Sequence, residues 1–232
     1  MNVFSGRSSR ILRVLLEKPK NWTITELAQE LEAEGKRFRA MTNEKVNFGV
    51  SVGMISKVIS SLEDQLLVRK RNGTILVPER QRLLREWAEK YRERYRWRLR
   101  SSFQTENPFG DKLEDIAVGI QLRASGTYAF TGAMAAATLA PFVDIQVVDI
   151  FVLSAKNDQQ LRELTAGREN RSKLRFIYPY DEGVFMYSEK TGPSVVVSPI
   201  QAYLDLYAKG GRDLKQADYL LTERIQPRWV AA

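Results

Sequence analysis

Apolar side chains recur at helical spacing through the first third of the chain. The first stripe lies in residues 8–18, ends at Pro19 and consists of Ile11, Leu12, Val14, Leu15 and Leu16. Because Pro stops a helix, this pattern predicts an amphipathic helix that also carries Arg10, Arg13 and Glu17. The tetrapeptide Thr23-Ile24-Thr25-Glu26 then has the form of a capping box. It predicts a second helix from about Thr25 to Glu34, ended by Gly35.

A third apolar stripe is followed by the pattern of a hairpin. At about 100° per residue, one helical face collects Ile55, Val58, Ile59, Leu62 and Leu66. Ser51 stands where a capping hydroxyl is preferred. Residues 67–70 and 74–77 flank Asn72-Gly73, the pair that most easily adopts a type I′ turn. The first 78 residues therefore predict three helices and a two-stranded hairpin.

Residues 79–100 form a basic segment in which aromatic residues also recur at helical spacing. The segment contains nine Lys and Arg against four Glu, and it has no Gly or Pro, so it predicts one long linker helix. We interpret its stripe, which includes Trp87, Tyr91 and Tyr95, as a packing face; the alternative is stacking on single-stranded nucleic acid. Asn107-Pro108 and Gly110 break the periodicity, so we place a domain boundary near residue 105.

The remaining residues predict a mixed α/β domain. Helices are expected in residues 127–141, 158–166, 199–208 and 214–224, and strands in residues 145–153, 174–178, 184–187 and 194–198. The run at 145–153 is continuously apolar and β-branched, which is typical of a strand covered on both faces. The whole chain is therefore expected to be α+β, with domains at 1–78 and 105–232 joined by a linker at 79–104.

Composition narrows the chemistry that the chain can perform. It has 232 residues with neither Cys nor His, which excludes thiolate and imidazole metal sites, Ser-His triads and Cys nucleophiles. We find no apolar run of membrane-spanning length, and the N-terminal MNVFSGRSSR lacks the apolar core of a secretory signal, so a cytoplasmic location is expected.

The positive charge is confined to the N-terminal half. Residues 1–100 contain 22 Lys and Arg and 12 Asp and Glu, a net charge of +10, whereas residues 101–232 contain 14 and 16, a net charge of −2. General solubility would not require this division. It favours a polyanionic partner for the first half.

The stretch VSVGMISKVISSLEDQLLV resembles the recognition helix of bacterial winged helix-turn-helix regulators. The resemblance implies that the third helix enters the major groove of double-stranded DNA while the hairpin, the wing, meets adjacent phosphates. It assigns DNA binding to Ser51, Gly53, Met54, Ser56, Lys57, Ser60, Arg69, Lys70, Arg71 and Asn72. This sequence departs from the family in two places: Leu66 replaces the usual Gly, and residues 35–49 lengthen the connection between the second and third helices. Lys36, Arg37, Arg39 and Lys45 make that connection basic, which favours a second DNA contact over a disordered loop.

Four segments of the second half resemble the C-terminal domain of the AbiEi family: TYAFTGAMAAATLAPF, VVDIFV, YPYDEGVF and SPIQAYLDL. That family contains antitoxins and transcriptional repressors of type IV toxin-antitoxin systems. The resemblance implies autoregulation of the operon through inverted repeats. It also implies a nucleotidyltransferase-like toxin that the antitoxin opposes without a stable complex.

Two other classes of function remain as alternatives. The winged helix could dock a partner protein, in which case an exposed apolar patch is expected around Met54, Phe38 and Phe48. A metal-dependent nuclease or nucleotidyltransferase would need carboxylates clustered near Asp149. Asp149 stands alone in its strand, and Asp181-Glu182 is more typical of a turn or a salt bridge, so we expect no enzyme, cofactor or metal.

Overall fold

The N-terminal third of the chain consists of three helices and a hairpin. The computed structural model describes residues 2–123, 127–139, 145–153, 163 and 172–230. Its first elements are α1 Arg7–Glu17, α2 Ile24–Thr42, α3 Val52–Asp64, β1 Arg69–Arg71 and β2 Thr74–Leu76. The two strands pair antiparallel, with Lys70 opposite Ile75. The predicted order of elements is confirmed here.

Helix α2 begins where the sequence predicts and ends later. The capping box is present, because the Thr23 side chain accepts a hydrogen bond from the Glu26 amide and the Glu26 side chain accepts one from the Thr23 amide. The predicted end at Gly35 is wrong. Gly35 lies inside the helix, and a Cβ there would lie at ordinary contact distance from Phe48 N and Val46 O, 3.6 and 3.7 Å away. The helix ends at Asn43, a residue type that tolerates the left-handed conformation it adopts there (φ 63°).

Helix α3 begins and ends through specific local contacts. Ser51 caps it, as predicted, by accepting a hydrogen bond from the Met54 amide at 3.3 Å. At the other end, the amides of Leu66 and Leu67 donate to the carbonyls of Glu63 and Leu62, each at 2.9 Å. This is the Schellman arrangement, and Leu66 takes its left-handed position with φ 58°.

The predicted linker helix is divided in two. Helix α4 (Arg80–Glu93) is followed after Arg94 by the short α5 (Tyr95–Arg98) and a 3₁₀ turn at Leu99–Ser101. The aromatic residues of the stripe are buried, with Trp87 1% and Tyr91 3% exposed. The packing interpretation is therefore confirmed for these residues. Trp97, outside the stripe, is 49% exposed.

Within the described residues, the second half is built on a sheet of six strands in the order β3-β6-β5-β4-β8-β7. Their bounds are β3 Ser102–Glu106, β4 Tyr128–Thr131, β5 Val147–Val152, β6 Lys173–Ile177, β7 Glu189–Thr191 and β8 Ser194–Val196. The pairs β5–β6 and β4–β8 are parallel, and the others are antiparallel. The helices of this half are α6 Leu113–Arg123, α7 Gly132–Leu139, α8 Pro199–Lys209, α9 Arg212–Leu220 and α10 Gln226–Val230, with a π-helical segment at Leu221–Ile225 between the last two. The α+β class is confirmed.

Several predicted elements of this half were wrong. Tyr128–Thr131 is a strand between β5 and β8 and not the start of the Ala-rich helix. Glu182–Phe185 is a 3₁₀ turn where a strand was expected, and the edge strand Glu189–Thr191 was not predicted. Strand β3 and helix α6 were not predicted. The helix expected at 158–166 lies outside the described residues, apart from residue 163.

Helix α1 joins the two halves of the molecule. Every residue from Ser8 to Leu16 is buried, because α2 and α3 lie against one side while α8 and the 3₁₀ turn at Glu182–Phe185 lie against another. Helix α4 packs along α8, so the buried apolar residues form one cluster across both halves. Strand β3 runs through the boundary expected near residue 105. The division at residues 78 and 104 stays a prediction.

Candidate nucleic-acid interface

Helix α3 separates an apolar inner face from a polar outer face. Ile55, Val58, Ile59 and Leu62 are completely buried against the other helices. Ser51, Gly53, Lys57 and Ser60 are exposed, and Met54 and Ser56 are partly so. The outer face therefore consists of small hydroxyl residues around one Lys, a surface that permits close approach to another molecule.

The hairpin is fixed to this outer face of α3. The Lys70 side chain donates a hydrogen bond to the Ser60 hydroxyl at 3.2 Å and lies 3.7 Å from the Glu63 carboxylate. The Lys70 amide also donates to Glu63 at 2.9 Å. Since Lys57 precedes Ser60 by three residues on the same helical face, Lys57 and Lys70 lie on one continuous surface.

We call this the α3–hairpin surface. Its members are Ser51, Gly53, Met54, Ser56, Lys57, Ser60, Arg69, Lys70, Arg71 and Asn72. All the residues of β1 are exposed, and the turn is formed by Asn72 (φ 50°) and Gly73 (φ 76°), as predicted for type I′. The structure thus places Lys70 beside the predicted residues of α3, while Arg69, Arg71 and Asn72 belong to the same exposed hairpin.

The hairpin is basic on its second face as well. Side chains alternate along a strand, so Arg69 and Arg71 project to the side opposite Lys70. A groove of about 450 Å³ opens between the hairpin and the start of α4, and it is lined by the cations Arg69, Lys70, Arg71 and Arg80 without any acidic residue. Burial lowers the pKa of Arg80, and its buried Nε has no hydrogen-bond partner among the described residues. Sequence reasoning did not single out Arg80, whose place beside the hairpin depends on the turn at residues 77–79.

The basic residues that the sequence placed between α2 and α3 do not form one surface with the hairpin. They are Lys36, Arg37, Arg39 and Lys45. Arg37 donates to both oxygens of the Glu34 carboxylate, at 2.6 and 2.7 Å, and to the Ser188 carbonyl at 3.3 Å. The hydrogen bond to buried Glu34 raises the pKa of Arg37 and neutralises its charge locally. Lys36, Arg39 and Lys45 are exposed. Among the described residues, no hydrogen bond or ion pair links these side chains to the α3–hairpin surface.

Most of the residues expected to form an apolar patch for protein docking are buried. Phe38 and Phe48 are both 0% exposed and pack on each other, with ring centroids 5.4 Å apart. Met54 is partly buried. Two of the three residues of the expected patch therefore belong to the core.

The carboxylates considered for catalysis are held by internal partners. The Asp149 carboxylate lies 2.6 Å from Arg175 Nε and 3.1 Å from Lys209 Nζ. Asp181 forms a salt bridge with Arg10 at 2.8 Å and accepts the Gly183 amide, which confirms the turn and salt-bridge interpretation. Within the described ranges, no group of three Asp or Glu residues is placed to hold a metal ion.

Sequence reasoning missed another buried carboxylate, Asp205 on α8. It accepts hydrogen bonds from Tyr91, Thr131 and Gln201 at 2.6, 2.5 and 2.7 Å. Burial raises the pKa of Asp205, and these three donors oppose the rise. Two of the donors lie more than 70 residues from Asp205 in the sequence, so no local pattern indicates that Asp205 is buried.

Comparisons with known proteins leave the identity of the chain open. Among the residues that the structure describes, no helix combines the length and the apolar character needed to cross a membrane. No protein-family model, no curated protein and no solved structure matches the chain.

Proposed function

We propose that the protein binds double-stranded DNA through the α3–hairpin surface, which then acts as a winged helix-turn-helix. The observation that carries the proposal is the hydrogen bond from Lys70 to Ser60, because it aligns the basic hairpin with the exposed face of α3. In this arrangement α3 enters a major groove about 12 Å wide while the hairpin lies beside it.

The residues divide by the part of DNA that they contact. Ser51, Ser56 and Ser60 face the base edges, where hydroxyl groups both donate and accept hydrogen bonds. Lys57, Arg69 and Arg71 meet phosphates, and each contact releases condensed counterions. Residue Arg80 adds a cation behind the hairpin. Arg37 is not part of this proposal, since its guanidinium is already paired with Glu34.

The regulatory role is proposed from the sequence resemblance alone. We infer a repressor that regulates its own operon and acts as an antitoxin of the AbiEi type, opposing a nucleotidyltransferase-like toxin. A neighbouring reading frame for such a toxin would support this role. The duplex-binding proposal does not depend on it.

The experiment is a fluorescence-anisotropy titration of the whole chain with labelled duplex from immediately upstream of its reading frame. Lys57→Glu and the double variant Arg69→Ala/Arg71→Ala should both weaken binding. The double variant should also flatten the dependence of log K on log salt by about two units, about one for each lost phosphate contact.

Matched controls come from exposed cations of the second half. Lys215→Glu and Arg212→Ala/Arg224→Ala make the same charge changes at exposed positions on the C-terminal helices and should leave affinity and slope nearly unchanged. If the control variants weaken binding as much as the α3–hairpin variants do, net charge alone drives binding. Unchanged affinity in both α3–hairpin variants would reject the proposed surface.

A further inference from the structure

A second aromatic and basic site lies at the far end of α4 from the hairpin. A cleft of about 210 Å³ opens between α5 with its 3₁₀ turn and the loop after β6. We call it the Trp97–Tyr180 cleft; its lining residues are Trp97, Arg98, Arg100, Ser101, Tyr178 to Tyr180. Helix α4 has 14 residues and is about 20 Å long, so the cleft is separate from the α3–hairpin surface.

Two of the three aromatic rings that line the cleft, those of Trp97 and Tyr180, are unusually accessible for their size. Trp97 is 49% and Tyr180 61% exposed, although Trp and Tyr residues elsewhere in α4 and α5 are buried. The rings meet edge to face, with centroids 5.2 Å apart and planes at 67°. Such a pair covers one face of one ring and an edge of the other, so flat aromatic surface remains for a third ring.

The walls of the cleft are held in place by the surrounding structure. The Tyr178 amide donates to the Ser101 carbonyl at 2.9 Å, which ties the two sides together. Asp181, directly after Tyr180, is fixed by Arg10 through two hydrogen bonds of 2.8 and 2.9 Å. The ring of Tyr180 also lies against Gly6. The aromatic surface is therefore formed before any ligand arrives, which reduces the ordering cost of binding.

The charge around the cleft has one sign. Residues 94–100 contain four Arg, and no acidic residue lines the cleft. Among the described residues, Arg96 and Arg100 are exposed and form no ion pair, while the guanidinium of Arg98 lies 4.1 Å from the Tyr91 ring centroid with its Nε unpartnered. Asp181, which directly follows Tyr180, is paired with Arg10.

We propose that the Trp97–Tyr180 cleft binds an unpaired nucleotide, with the base stacked on Trp97 and Tyr180 and the phosphate paired with Arg100 and Arg98. Aromatic faces with adjacent cations are the two components that single-stranded nucleic acid sites combine. The cleft is smaller than the roughly 300–1,000 Å³ of drug-sized pockets, which suits one base with its phosphate at the rim. The nucleotide belongs either to a single strand or to a free mononucleotide.

The test measures binding of the full chain to a labelled oligothymidylate of about eight nucleotides and, separately, to AMP. Trp97→Ala and Tyr180→Ala should each weaken binding about fivefold or more, since stacking on one aromatic residue contributes that much. Trp97→Phe should retain most of the affinity, and Arg100→Ala should flatten the salt dependence. Of the four Trp residues, Trp22 and Trp87 are 2% and 1% exposed and Trp229 is partly buried, so most of the quenching of tryptophan fluorescence on stacking should be lost in Trp97→Phe.

Control variants separate this proposal from the proposal that the α3–hairpin surface binds duplex DNA. Tyr219→Ala and Arg212→Ala remove side chains of the same types from exposed positions on α9 and should leave oligonucleotide binding unchanged. Lys57→Glu should weaken duplex binding and leave oligothymidylate binding intact, so either proposal can fail alone.

Each result has a defined meaning. Trp97-dependent binding of the oligonucleotide and of AMP supports the cleft and identifies a free nucleotide as a ligand, whereas binding of the oligonucleotide alone identifies a single strand. Absence of binding to both probes overturns the proposal. Oligonucleotide affinity that is unaffected in folded Trp97→Ala, Trp97→Phe and Arg100→Ala proteins overturns it equally.

Discussion

At Leu66 a leucine occupies a backbone conformation that favours glycine. Its φ of 58° is left-handed, and its side chain is 74% exposed, so little apolar contact compensates the strain. The hydrogen bonds of the Schellman arrangement hold the residue there. The sequence could raise the problem, because Leu replaces the expected Gly, but it could not decide between a strained cap and a longer helix.

We expect Leu66→Gly to raise the free energy of unfolding by about 0.5–1 kcal/mol. Relief of the left-handed strain exceeds the entropy that Gly adds to the unfolded chain. Urea denaturation measures the change. Asp64→Gly, at the last residue of the helix, is the control and should lower stability by only about 0.3 kcal/mol, because Asp is itself a poor helix former. A loss in both variants would mean that the Leu66 side chain contributes packing.

Glu17 gives a residue-scale prediction about pH. Its side chain is 4% exposed, accepts the Ile200 amide at 3.2 Å and lies 3.5 Å from Arg228. Burial raises the pKa of Glu17 above its usual 4.5, opposed by Ser198, Arg228 and Ile200. As pH rises, the Glu17 carboxyl loses its proton at a lower pH in the unfolded chain than in the folded protein. The stabilising contribution of Glu17 is therefore complete below 4.5 and is lost as pH rises through the higher folded pKa.

Glu17→Gln should remove this dependence on pH. The free energy of unfolding of the variant, relative to that of the wild type, should increase from about pH 4 to about pH 7. Urea titrations at several pH values measure it, with Glu223→Gln at an exposed position as the control. A difference that moves in the opposite direction would show that the Arg228 ion pair outweighs burial.

At the scale of elements, local signals predicted the parts of the fold that local contacts determine. The capping box at Thr23, the cap at Ser51, the turn at Asn72-Gly73 and the apolar run of β5 each carry their information within a few residues. Tyr128–Thr131 becomes a strand because β5 and β8 pair with it, and those partners come later in the chain. Composition alone favoured a helix there, so the correct structure could not be derived locally.

Gly35 and Gly119 lie well inside α2 and α6, and the same substitution should have opposite effects at the two positions. A Cβ at Gly35 in α2 would lie 3.6 Å from the Phe48 amide nitrogen, an ordinary contact, whereas one at Gly119 in α6 would lie 2.2 Å from the Phe109 ring. Gly35→Ala should stabilise the protein by about 0.5–1 kcal/mol through helix propensity. Gly119→Ala should destabilise it by about 1–3 kcal/mol through overpacking.

Thermal unfolding followed by circular dichroism measures both variants. Each serves as the control for the other, because the chemical change is identical. A loss of stability in Gly35→Ala would mean that residues 46–48 cannot adjust to the added methyl group.

At the scale of the whole molecule, the sequence predicted the residues of the candidate DNA surface. It did not predict the distant contacts that hold α1 in place. The residues of α3 and the hairpin are near each other in the sequence, and their pattern indicated one exposed basic face. Arg10 and Arg13 were expected on the polar side of an amphipathic helix, yet they are 4% and 3% exposed. Asp181, the partner of Arg10, lies 171 residues away. Trp87, whose ring centroid lies 5.1 Å from the Arg13 guanidinium, belongs to α4.

Because α1 has no face open to solvent, we expect residues 1–78 to depend on the rest of the chain for their stability. A chimera that fused residues 1–78 to a foreign effector would uncover the side of α1 that α8 now covers, together with two buried arginines. Moving the proposed DNA-contacting side chains of α3 into an existing scaffold should therefore succeed more readily than transplanting residues 1–78 whole.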